Sequence, residues 1–141
     1  MIRKVIASDT LLRAAGTVTE RLAKWLGERG LLDEDAVSAA VEQSAEAGRE
    51  LPQAARLTDM LYEQSRKTNI DVHALSDEDY VEDYLFIDRV EPGALWFERG
   101  IGPVPVHAKV SKLAQPGWAI NIVLGRKRGT WNILEVGNVY L

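Results

Sequence analysis

The sequence predicts an α+β protein: an N-terminal helical bundle packed on a small C-terminal antiparallel β-barrel. Two observations carry this reading. Apolar residues recur every three or four positions before residue 84, as in Leu22, Trp25 and Leu26, or Ala54, Leu57 and Leu61. After it they recur every two, as in Trp118, Ile120, Ile122 and Leu124. A period of 3.6 builds a helix and a period of 2 a strand. The charge changes sign at the same place. Residues 1–83 hold 10 Lys/Arg against 17 Asp/Glu, a balance of −7, and residues 84–141 hold 7 against 4, a balance of +3. The expected organisation is therefore an acidic helical region, 1–83, and a mildly basic β region, 84–141.

Along the helical region, Ile2, Val5 and Ile6 read as a short strand or as the lead-in to a helix, with Ser8 or Asp9 as its N-cap. The first stripe is Leu11, Leu12, Ala15, Val18, Leu22, Trp25 and Leu26. Gly16 interrupts it, Thr17 with Glu20 has the spacing of a capping box and offers a second start, and Gly30 ends it. Asp33, Glu34 and Asp35 open the second helix with charge that the macrodipole favours. Its stripe, Val37, Ala40, Val41, Ser44, Ala45 and Gly48, is small-sided and lets a neighbour approach closely. Pro52, at a first helical position, opens a third helix with Ala54, Ala55, Leu57, Thr58, Leu61 and Tyr62 inside and Asn69 as its stop. Ser76 with Asp79 repeats the capping-box spacing and predicts a short hinge helix over 77–83. No Pro/Gly/Ser-rich linker follows, so the two regions are expected to pack together. A unit of about 60 residues buries only about 60% of its unfolded surface, which gives the β region a reason to need helical cover.

The β region reads as strands over 84–90, 94–99 and 104–106, a helical stretch over 108–114, and strands over 118–125 and 130–140. Glu91-Pro92-Gly93, Gly100-Ile101-Gly102 and Pro116-Gly117 supply turn chemistry between them. Ile120, Ile122 and Leu124 share a face and are expected in the core, with Ile133 across the final hairpin. The order, three strands, a short helix and two strands, is similar to an OB-type barrel, where a helix lies between the third and fourth strands; the size is closer to an SH3-like barrel. The resemblance is to an OB/SH3-like fold class and covers residues 84–141.

Several chemistries are excluded. The chain has no cysteine, which removes disulfides, zinc–thiolate sites, iron–sulfur clusters and a thiol nucleophile. No apolar run reaches the 18 or so residues of a membrane span, and Ser8, Asp9 and Arg13 break the N-terminal run that a secretory signal needs. A cytoplasmic protein without a membrane partner is the expectation. No cofactor is expected: Gly100-Ile101-Gly102 lacks the third glycine and following helix of a dinucleotide fingerprint, and no P-loop pattern occurs. No metal is expected either, because Asp77, Glu78, Asp79, Glu82 and Asp83 lack the alternating ligands and central glycine of a calcium loop. His73 and His107 are the only histidines, and no G-x-S-x-G nucleophile accompanies them.

The candidate partner-binding residues are Arg126, Lys127 and Arg128 at a hairpin tip, Trp131 on the returning strand, and Lys109 with Lys112 on the short helix. Cations that meet phosphates beside an aromatic that stacks on a base are how small barrels hold single strands. The competing reading is a solvated tip whose charges prevent edge pairing. The expected function is non-catalytic: a binding or adaptor protein that engages a nucleic acid or an acidic protein surface through the barrel face and basic hairpin. Two alternatives stand beside it. One is a structural or regulatory protein that self-associates through its helices as a homo-oligomer. The other is an enzyme with a site at a subunit interface.

Overall fold

The structure, a computed structural model, describes residues 9–141. The expected features at Ile2–Ile6 and Ser8 lie outside the described residues. Element order is α1 (Asp9–Glu28), α2 (Glu34–Arg66), β1 (Tyr80–Glu91), β2 (Ala94–Phe97), β3 (Ile101–Pro105), α3 (Ala108–Leu113), β4 (Ala119–Lys127) and β5 (Thr130–Tyr140). The α+β class is as expected. The chain divides into two compact units, Met1–Gln53 and Ala54–Leu141. The division falls within α2, well before the change of period at residue 84, because Ala54, Leu57 and Leu61 are buried in the same core as the sheet.

In the first unit, α1 and the start of α2 form an antiparallel hairpin with small residues at its contact. A Cβ on Gly16 would lie 2.8 Å from the Ser44 carbonyl oxygen and 3.2 Å from the Gly48 Cα. One on Gly27 would lie 2.6 Å from Val37 Cγ2. This explains why α1 runs unbroken through Gly16, against the expected interruption: the glycine marks a close approach, not an end. Thr17, the expected second start, sits mid-helix and donates its hydroxyl to the Arg13 carbonyl at 3.3 Å. Gly30 turns the chain at φ +69°, and the Asp33 carboxylate accepts the Ala36 N–H at 2.8 Å to cap α2.

The second and third expected helices are one helix, with Pro52 inside it. Proline lacks an N–H, so the Gly48 carbonyl loses its helical donor, yet the helix continues. The residues beyond Pro52 have a reason to stay helical, since Leu57 and Leu61 are both 0% exposed. The expected hinge helix is only a 3₁₀ turn, Asp77–Asp79, because residues from Tyr80 onward pair with β4 instead.

The sheet is antiparallel and ordered β3-β2-β1-β4-β5. β1 is the central strand and changes partner along its length. Tyr80–Phe86 pairs with β4, and Ile87–Glu91 pairs with β2 across a bulge at Asp88. Leu85, Ile87, Leu95, Phe97, Val104, Ile120, Ile122, Leu124 and Ile133 point inward, each 2% exposed or less. Leu124 faces Ile133 across the final hairpin, as expected. The barrel is not closed: the two edge strands, β3 and β5, approach within 8 Å Cα–Cα, but no ladder joins them.

Leu61 and Ile122 sit in one core although they come from α2 and β4. Leu61→Ala and Ile122→Ala are each expected to cost about 2–5 kcal/mol, measured by urea unfolding followed by tryptophan fluorescence. A loss of under about 0.5 kcal/mol for Leu61→Ala would remove α2 from the core.

Candidate functional site

The β4–β5 hairpin closes through a two-residue loop, Arg128-Gly129, between the paired Lys127 and Thr130. Both loop residues have positive φ, 52° and 77°. This is the backbone of a tight hairpin whose twist matches the strands, and Asn-Gly is its usual sequence. Arg128 holds this left-handed conformation at a cost of about 1–2 kcal/mol.

The four hairpin candidates divide into two pairs. Arg126 is committed to the fold. Its Nε donates to Asp79 Oδ1 at 2.7 Å, its Nη2 donates to the Glu78 carbonyl at 3.5 Å, and its guanidinium lies 5.1 Å from the centroid of the Trp131 ring. Trp131 is 7% exposed and belongs to the core, so its ring cannot stack on a base. Lys127 and Arg128 are exposed, and neither side chain has a partner among the described residues.

Lys127 and Arg128 line a groove of about 530 Å³ together with Lys67, Thr68, Asn69 and Asn132. Lys67 lies just past the end of α2, and its ammonium also has no partner among the described residues. Three cations, two amides and the hydroxyls of Thr68 and Thr130 therefore surround one open space; the Thr68 hydroxyl donates to the Gln64 carbonyl at 3.5 Å and the Asn132 amide to the Thr130 carbonyl at 2.9 Å. Sequence reasoning missed Lys67, because nothing in its local spacing points to a hairpin 60 residues away.

Lys109 and Lys112 are not brought to this groove. Lys109 lines a second groove of about 570 Å³ with Met60, Glu63, His107 and Val110. The two grooves have Lys67 in common. His107 caps α3: its Nδ1 accepts the Lys109 N–H at 3.2 Å, which leaves Nε2 to carry the ring proton when the imidazole is neutral. Lys112 is exposed and lines neither groove.

The remaining candidates carry little chemistry. Asp79 and Asp83 are engaged by Arg126 and Arg99, at 2.7 and 2.9 Å. No group of three His, Cys, Asp or Glu among the described residues could hold a metal ion. No helix among them is long and apolar enough to cross a membrane. Trp96 is covered on its ring face by the Arg89 guanidinium, 4.6 Å from the centroid, and Gly102 lies close against the ring. The exposed aromatics among the described residues are Trp25, Tyr62, Tyr84, Phe86 and Tyr140, with Tyr84 and Tyr140 at 5.7 Å between centroids. Tyr84 and Phe86 were not singled out from the sequence, although their alternation with Leu85 and Ile87 is the signal that exposes them.

Compared with protein-family models, with curated proteins and with solved structures, the chain matches none.

The Arg126 guanidinium, and next the Ser76 hydroxyl, hold the Asp79 carboxyl below its usual 3.8. A lowered folded pKa gives a contribution that is complete above the unfolded value and is lost as pH falls through the folded one. The Arg126 Nε–H resonance should therefore stay fixed from neutral pH down to about 4 and shift below it. In Asp79→Asn that acid transition should be absent. A transition centred near pH 6 would contradict the assignment.

Proposed function

We propose that this chain is a non-catalytic binding module whose β4–β5 hairpin groove holds the phosphate backbone of a nucleic-acid strand. One observation carries the reading: Lys67, Lys127 and Arg128 share a groove, and none is neutralised by a carboxylate among the described residues. Unpaired cations beside amide and hydroxyl donors suit phosphate oxygens, which accept from charged and neutral donors alike. The neighbouring Arg126 supplies the contrast, since it is satisfied internally and adds nothing outward.

The fold supports the same reading. The strand order, with α3 between β3 and β4, is similar to an OB-type barrel that is open between β3 and β5. In such folds the loop between the fourth and fifth strands helps to hold oligonucleotides. That loop here is Arg128-Gly129. The hairpin offers charge without an accessible ring, because Trp131 is buried and Trp96 is covered. The expected binding is therefore independent of base sequence and strongly dependent on salt.

Titration of the full chain with short single-stranded oligonucleotides tests this. At about 50 mM salt the dissociation constant should fall in the range of about 10⁻⁶–10⁻⁴ M typical of non-specific contacts. Each of Lys67→Gln, Lys127→Gln and Arg128→Gln should flatten the plot of log K against log salt by about 0.7. Arg126→Gln should lower stability and leave that slope unchanged. No binding at low salt sinks the proposal, and tighter capture of polyglutamate than of the oligonucleotide assigns the groove to an acidic protein surface.

A further inference from the structure

The face of α1 that turns away from α2 carries the bulky apolar residues of the hairpin. Leu11, Val18, Leu22 and Trp25 are 58, 64, 53 and 46% exposed. The hairpin contact uses small residues instead, Gly16, Ala23 and Gly27. This reverses the usual economy, in which large apolar side chains are buried first. With Ala15 and Arg29 the exposed residues form the series 11, 15, 18, 22, 25, 29, whose steps alternate between four and three. Such a seam has a period of 3.5, which matches another helix and not a sheet.

We infer that this seam pairs with the same seam of a second copy of the chain, helix against antiparallel helix about a two-fold axis near residue 20. Volumes select that direction. Antiparallel pairing sets Trp25 over Ala15 of the second copy, Val18 against Leu22, and Leu11 against the aliphatic stem of Arg29. Parallel pairing would stack Trp25 on Trp25 and leave a gap between two Ala15 side chains. The available area fits a dimer. α1 has 20 residues, about 30 Å of helix and about 11 Å across, so the outward half of its surface is about 500 Å² and two copies cover about 1,000 Å² in all. That is about the lower limit of stable, specific interfaces. Arg21 flanks the seam and meets its own copy across the axis, so association should strengthen with salt. Phosphate binding has the opposite dependence, which keeps this proposal separable from the hairpin groove.

Sedimentation equilibrium of the full chain should give twice the 15.7 kDa chain mass at micromolar to submicromolar protein. Leu22→Glu, at an exposed helical position, should retain the helical circular dichroism signal and yield a monomer. Ala15→Trp and Trp25→Ala should each weaken association by about tenfold or more, and the double exchange should restore it to within about threefold, because the layer is rebuilt with its members swapped. A monomer at about 100 μM, or a dimer that Leu22→Glu leaves intact, overturns the proposal. A tryptophan blue shift with anionic vesicles on a monomeric chain, lost in Trp25→Phe, assigns the seam to a lipid surface instead.

Discussion

The second unit depends on one strand pairing with two partners. β1 gives its first half to β4 and its second half to β2. At the changeover, Ile87 donates its N–H to the Trp118 carbonyl at 2.8 Å and accepts the Gly117 N–H at 2.8 Å. Those two bonds hold the entry to β4 against the middle of β1 and extend their ladder by one residue. Everything beyond follows from them. β4 is set in register with β1, β5 with β4, and the hairpin tip is carried past the start of β1 to lie beside Asp79. The Arg126–Asp79 pair then fastens the 3₁₀ turn to the hairpin, at the place where the chain is about to enter the ladder. The pair is partly exposed, so its contribution to stability is small; its effect is to fix direction.

The fold was legible wherever one periodicity held for several turns or residues. α1, β4 and β5 lie where the pattern places them, and so does the short helix between the third and fourth strands. The misreadings occur where a local rule met a tertiary one. Gly16 and Pro52 are helix breakers by propensity, worth about 1 and 3 kcal/mol against alanine. Gly16 is retained because Ser44 and Gly48 need its missing side chain, and α2 passes Pro52 because Leu57 and Leu61 are buried further on. The 77–83 segment has helix-capping residues, but its last residues belong to a ladder with β4, whose nearest paired residue, Gly125, is 45 positions from Tyr80. No window of a few residues contains that information.

The site was legible in part and for a definable reason. Composition identified a run of three cations, and alternation placed Trp131 near them. What composition cannot supply is the occupancy of each charge. Arg126 and Lys127 are adjacent in the chain and point to opposite sides of β4, which is enough to make one a staple and the other free. Lys67 joins the free pair from the end of a helix, through proximity alone. The aromatic that was to accompany the cations has a role as well: it fills the core and gives Arg126 a ring to lie over.

A comparison inside the molecule strengthens the reading of the hairpin tip. The sequence Arg-Gly with both residues at positive φ occurs twice, at Arg99-Gly100, with φ of 62° and 71°, and at Arg128-Gly129, with 52° and 77°. The backbone cost is the same in kind at both places. At the first, the guanidinium reaches Asp83 at 2.9 Å and ties the turn after β2 to β1. The side chain there has a structural use that offsets its strained backbone. At the second, the same conformation projects a guanidinium with no partner among the described residues into a groove that already holds two other unpaired cations. Packing does not account for arginine at that position, since asparagine would close the turn at lower cost. The difference between the two turns is a nearby carboxylate, Asp83, which the first has and the second lacks, and that lack is what leaves the Arg128 charge without a partner among the described residues.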